Sequence, residues 1–150
     1  MPTPVRIPTW VYILVYRKGL QTMELIRLLR SIGREAIERG HFPVNPWVFY
    51  AAYMGEGEIA SQEEALSRTL FLRCSHVWLY EPPNAEMDKA TFNILTHNEG
   101  SFLRGGRRPL SQRVPVSYFQ VESGGAIITQ MSRNQVDELI GCHLANGLFR

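Results

Sequence analysis

HVWLYEPPNAEMDKATFNIL, residues 76–95, decides how this chain folds. After His76 come four apolar and aromatic residues without interruption, as a strand buried on both faces of a parallel sheet requires. Pro82 and Pro83 stop the ladder. NAEMDKATFNIL then predicts a helix over 84–95, with Asn84 as its N-cap. Glu86 and Asp88 fall in its first turn, where the helix dipole stabilises acids that have no other task. A strand, a short turn and a helix also make the place where α/β proteins collect ligands, beyond the carboxyl ends of the strands. The two acids therefore admit a structural reading and a catalytic one.

The same pattern occurs upstream. WVYILVY, 10–16, is a continuous apolar, β-branched and aromatic run. RKGLQ leads into a helix with Thr22 as its expected N-cap, Glu24 in the first turn and Leu25, Leu29, Ile32 and Ala36 at helical spacing. Gly40 ends it. HFPVNPWVFYAAY reads as extended, a short strand running into a long loop, because Pro43 and Pro46 exclude a central helix. A capping box, Ser61 to Glu64, opens a helix over 61–73. Residues 98–113 form a long, glycine-rich, basic connection. VPVSYFQV, 114–121, is a further strand, and AIITQM is a short one suited to pair with it as a hairpin. Ser132 with Gln135 opens a terminal helix that reaches about residue 146. Strands alternating with helices predict one α/β domain over 1–150, a Rossmann-like three-layer sandwich with a mostly parallel central sheet. Its ligand edge comprises 16–21, 45–58 and 81–88.

Composition narrows the function classes. A net charge of +2 argues against bulk nucleic-acid binding, and no apolar run approaches a membrane span. MPTPVRIPTW lacks the pattern of a signal peptide, so a cytoplasmic location is expected. Cys74 and Cys142 have no metal-ligand spacing, and Cys74 is expected to pack as a small apolar residue before a strand. The four histidines are scattered, and neither HExxH nor GxSxG occurs. No metal and no cofactor are expected. RGGRRP, 104–109, suits phosphate contacts but reads more readily as a solvated loop. Tyr12, Tyr16, Trp47, Phe49, Tyr50 and Tyr53 gather near the ligand edge, where they would stack on a nucleobase or serve as core and dimer contacts.

The order VYI, YRKG, helix, RGHFPVNPWVFY, acidic loop, EEALSRTLFLRCSHVWLY, turn, EM resembles the nucleoside 2-deoxyribosyltransferase-like superfamily, closest to an uncharacterised bacterial and phage branch. The resemblance covers roughly residues 10–95. It implies cleavage of the N-glycosidic bond of a 2-deoxynucleoside by a glutamate nucleophile, with an aspartate on the preceding helix as acid or base. Carried over by position, the nucleophile falls on Ala90 and the aspartate near Ser67. The aspartate expected after the RC pair is Ser75, and the small residues of the first turn are Leu14 and Val15. Tyr12, Tyr16 and Arg17 match.

The leading expectation is therefore a non-catalytic member that binds a nucleotide or nucleotide-derived small molecule, a sequestering role if the chain is phage-encoded. Tyr12, Tyr16, Arg17, Trp47, Glu86 and Asp88 are its expected contacts. One alternative is an active 2-deoxyribosyltransferase or N-glycosidase, with Glu86 or Asp88 as nucleophile and the other, or Glu64, as proton carrier. A second is a protein–protein interaction scaffold. The resemblance also implies a homodimer or larger homo-oligomer.

Overall fold

The computed structural model describes residues 7–48, 66–99, 113–121 and 127–130. Five strands make one sheet: β1 (Thr9–Val15), β2 (His41–Val44), β3 (His76–Glu81), β4 (Val116–Val121) and β5 (Ile127–Gln130). Two longer helices are α1 (Thr22–Glu38) and α2 (Lys89–Glu99), with shorter helical stretches at 46–48 and 66–71. The strand order is β2-β1-β3-β4-β5. The first four strands run parallel, and β5 returns antiparallel along β4 as the expected hairpin. The α/β class and the Rossmann-like sheet stand. The chain steps from β1 outward to β2, then crosses to β3 on the other side of β1. The carboxyl ends of β1 and β3 thus flank a topological switch point.

β1 explains its own sequence. It lies between β2 and β3, and helices pack on both of its faces, so no position along Val11–Val15 is left for a polar residue. Val11, Ile13 and Val15 pack with Leu25, Leu29, Ile32 and Ala36 of α1. Tyr12, Leu14 and Tyr16 point the other way, onto Phe71, Cys74, Ile94 and Leu95. Leu79 and Tyr118 are fully buried on that second face. Each such side chain contributes about 1.5–3 kcal/mol by leaving water. Cys74 packs there at 6 % exposure, just before β3, as its sequence position implies. α2 and β4 are joined through Asn98, whose amide donates to Val114 O at 3.0 Å and accepts from Val114 N–H at 2.8 Å.

Three local expectations need correction. The helix after β3 begins at Lys89, not at residue 84. Asn84 takes the left-handed conformation (φ 61°), which Asn tolerates, and Glu86 then pairs with Lys18 as an antiparallel bridge. Glu86 N–H donates to Lys18 O at 2.7 Å and Lys18 N–H to Glu86 O at 3.1 Å, so this backbone is extended and the helix waits for Asp88. The N-cap of α1 is Gln21, without a side-chain cap bond, and Thr22 is already helical. Residues 41–48 are not extended throughout: Pro46 opens a helical turn at 46–48, since a missing N–H is harmless at the first helical position. Asn45 caps that turn by accepting Val48 N–H at 3.3 Å. Pro43 is accommodated because β2 is an edge strand. Gly40 closes α1 with φ 82°, as expected.

The capping boxes at 61–64 and 132–135, the terminal helix, the arginine loop 104–109, Cys142 and the aromatics at 49, 50 and 53 lie outside the described residues. The full helix count of the expected three-layer sandwich lies there too. Among the described residues, no helix is long and apolar enough to cross a membrane.

Candidate functional site

A small cleft of about 20 Å³ opens beyond the carboxyl ends of β1 and β2. That volume holds about one water molecule. Tyr12, Leu14, Val15 and Arg17 line it from the β1 side, and Asn45 and Trp47 from the turn after β2. Ser67 and the first turns of α2, through Ala90, Thr91 and Ile94, complete its far wall. Ser67 is 4 % exposed. Two positions far apart in sequence, Ser67 and Ala90, thus meet in one cleft. The resemblance puts its glutamate at Ala90 and its aspartate near Ser67. No acid lines the cleft among the described residues.

Asn45 reaches the cleft because its side chain is held at both ends. Its amide donates to Ile13 O at 2.9 Å, while its carbonyl caps the turn that presents Trp47. Trp47 is buried, and the Arg17 guanidinium carbon lies 6.0 Å from its ring centroid, within cation–π range.

Asp88 accepts five hydrogen bonds. Its Oδ1 accepts the Arg17 backbone N–H at 3.0 Å and the Thr91 hydroxyl at 2.8 Å. Its Oδ2 accepts Arg17 Nε at 3.3 Å, Arg17 Nη2 at 3.2 Å and the Thr91 backbone N–H at 3.1 Å. The last bond makes Asp88 the N-cap of α2. One carboxylate therefore fastens the segment after β1 to the helix after β3. Both partners are largely enclosed, with side chains 21 % (Arg17) and 14 % (Asp88) exposed.

Glu86 sits differently. Its side chain is 60 % exposed and lies 3.6 Å from Lys18 Nζ, itself 66 % exposed. A solvated pair of that kind contributes little. The turn that follows Lys18 depends on Gly19, whose φ is 92° and where a Cβ would meet Asn84 O at 2.9 Å. Tyr16 is buried on the α2 side of β1, and its hydroxyl pKa is raised well above the ordinary value by burial, then by Glu81 and Asp88. It serves here as a neutral core residue.

Of the six contacts expected from sequence, the cleft gathers Tyr12, Arg17 and Trp47. Asp88 is not among its lining residues and reaches it through Arg17 and Thr91. Tyr16 and Glu86 are not among its lining residues. Asn45 and Thr91 escaped the sequence reading. The Asn-Pro pair at 45–46 is an N-cap signal that would have found the first. Among the described residues, no group of His, Cys, Asp and Glu is placed to hold a metal ion. No family model, no curated protein and no solved structure matches the chain.

Proposed function

We propose that this protein binds a nucleotide or nucleotide-derived small molecule at the switch point of its sheet and does not turn it over. The observation that carries this reading is the convergence of Ser67 and Ala90 on one cleft that no described acid lines. N-glycosidic cleavage needs a nucleophile and a proton carrier beside the anomeric carbon. A serine and an alanine at those two places leave the walls of such a site without its chemistry. Tyr12 and Trp47 supply apolar walls, and Asn45, Ser67 and Thr91 supply neutral hydrogen-bonding groups. The cleft takes one small group, so a nucleoside-sized ligand enters with part of its structure and rests the remainder on the rim.

The enzymatic alternative asks more of the same atoms. Asp88 would have to release five hydrogen bonds and uncap α2 before it could attack. Glu86 would have to work from a largely solvated position, with its side chain 60 % exposed.

Thermal unfolding against nucleosides, nucleotides, deoxynucleotides and cyclic or NAD-derived nucleotides tests the proposal. A ligand at a hundred times its dissociation constant stabilises by about 2.7 kcal/mol. The expected result is a selective shift that Ala90→Leu removes by filling the cleft. A flat panel refutes the proposal and favours an interaction scaffold, in which Leu14 and Val15 simply close the sheet end.

A further inference from the structure

Arg17 is the one cation among the described residues that line the cleft. Its Nε–Nη2 edge, with which arginine grips a planar anion, is already docked on Asp88 Oδ2 at 3.3 and 3.2 Å. Asp88 cannot swing aside to free it, because the same carboxylate holds Thr91 and the first turn of α2. The other polar side chains among the described lining residues, Asn45, Ser67 and Thr91, carry no charge. Among the described residues, the one cation of the cleft is therefore already neutralised by Asp88 behind it before any ligand arrives.

The geometry points to Asp88 as the residue that sets the charge preference of this site: by consuming Arg17 it makes the cleft select an uncharged polar group of its ligand, such as a sugar hydroxyl or a base edge, and reject phosphate. A phosphate seated beside Arg17 would face the Asp88 carboxylate at short range and would be repelled by it. If a nucleotide binds, its phosphates lie outside this cleft. The identity of the ligand rests on the function proposed above, whereas the charge balance rests on Arg17 and Asp88 alone.

The test has two arms, read by calorimetric titration and thermal unfolding. The first compares a 2′-deoxynucleoside with its 5′-monophosphate. The second uses inorganic phosphate and needs no nucleoside to bind. Both compare the wild type with Asp88→Asn, which keeps an N-cap oxygen and removes the charge. The wild type should bind nucleoside and monophosphate within about threefold of each other, because no charged hydrogen bond distinguishes them. Inorganic phosphate should not stabilise it. Asp88→Asn should be stabilised by inorganic phosphate and should favour the monophosphate by about tenfold, the worth of one charged hydrogen bond. That gain should shrink with added salt and vanish in Arg17→Gln/Asp88→Asn.

The inference is overturned if phosphate stabilises the wild type and Arg17→Gln abolishes the effect. It is also overturned if folded Asp88→Asn gains no affinity for phosphate. If the wild type binds neither nucleoside nor monophosphate, the proposed function fails, and the phosphate arm still decides the role of Asp88.

Discussion

Replacing Asp88 with alanine should loosen the end of the sheet where the cleft lies. The substitution removes the acceptor for the Arg17 backbone N–H, for two guanidinium donors, and for the backbone N–H and hydroxyl of Thr91. Loss of an N-cap costs about 1 kcal/mol. Charge-assisted hydrogen bonds in a largely enclosed site add about 1.5–3 kcal/mol. The side chains are 21 % and 14 % exposed, so solvent screening does not erase the second contribution. A loss of about 3 kcal/mol follows, which lowers the midpoint of thermal unfolding by roughly 6–12 °C for a chain of this size. Urea unfolding followed by circular dichroism measures it. A double-mutant cycle with Arg17→Met should return a coupling of roughly 1–2 kcal/mol, since the two residues share one network. Additive single effects, or an Asp88→Ala loss below about 0.5 kcal/mol, would refute the view that this acid fastens β1 to α2.

Other perturbations carry definite signs. Gly19→Ala should destabilise by roughly 1–3 kcal/mol, because φ is 92° there and the new Cβ meets Asn84 O at 2.9 Å; unchanged urea midpoints would contradict this. Tyr118→Phe should be neutral or stabilising by up to about 1 kcal/mol, since the buried Tyr118 hydroxyl has no hydrogen-bond partner among the described residues; a clear loss of stability would contradict this. Burial pushes the Cys74 thiol from 9.0 up to about 11. The unfolded chain loses that proton near pH 9 and the folded chain near pH 11, so the Cys74 contribution is intact below pH 9 and falls between them, by on the order of 1–3 kcal/mol. Urea unfolding at pH 8 and pH 10.5 should therefore narrow the gap between wild type and Cys74→Ala, and a constant gap would count against a protonated buried thiol.

The parts of the fold that sequence made legible are those governed by burial. WVYILVY and HVWLY are uninterrupted because β1 and β3 are covered on both faces, and α1 carries its apolar stripe at helical spacing. Errors gathered at turns, where one residue decides the backbone. Asn84 looked like a cap because Asn commonly caps helices, yet the pairing of Glu86 with Lys18 delays the helix and passes the cap to Asp88. That pairing joins segments far apart in the chain and leaves no local pattern. Pro46 bars a helix interior, yet at the first helical position it is favoured. The cleft was half legible. The strand-end rule placed Tyr12, Arg17 and Trp47 at it, whereas the commitment of Asp88 to Arg17 and Thr91 depends on three elements meeting.

Binding without turnover is the central claim, and mass analysis of a saturated ligand mixture tests it most directly. The protein is incubated with whichever nucleoside or nucleotide stabilises it, and the bound and free fractions are recovered. The account expects all of the ligand to return intact, with Glu86→Gln behaving like the wild type. Free nucleobase released by the wild type and abolished in Glu86→Gln or Asp88→Asn would contradict it and make the turn at 84–88 a catalytic one.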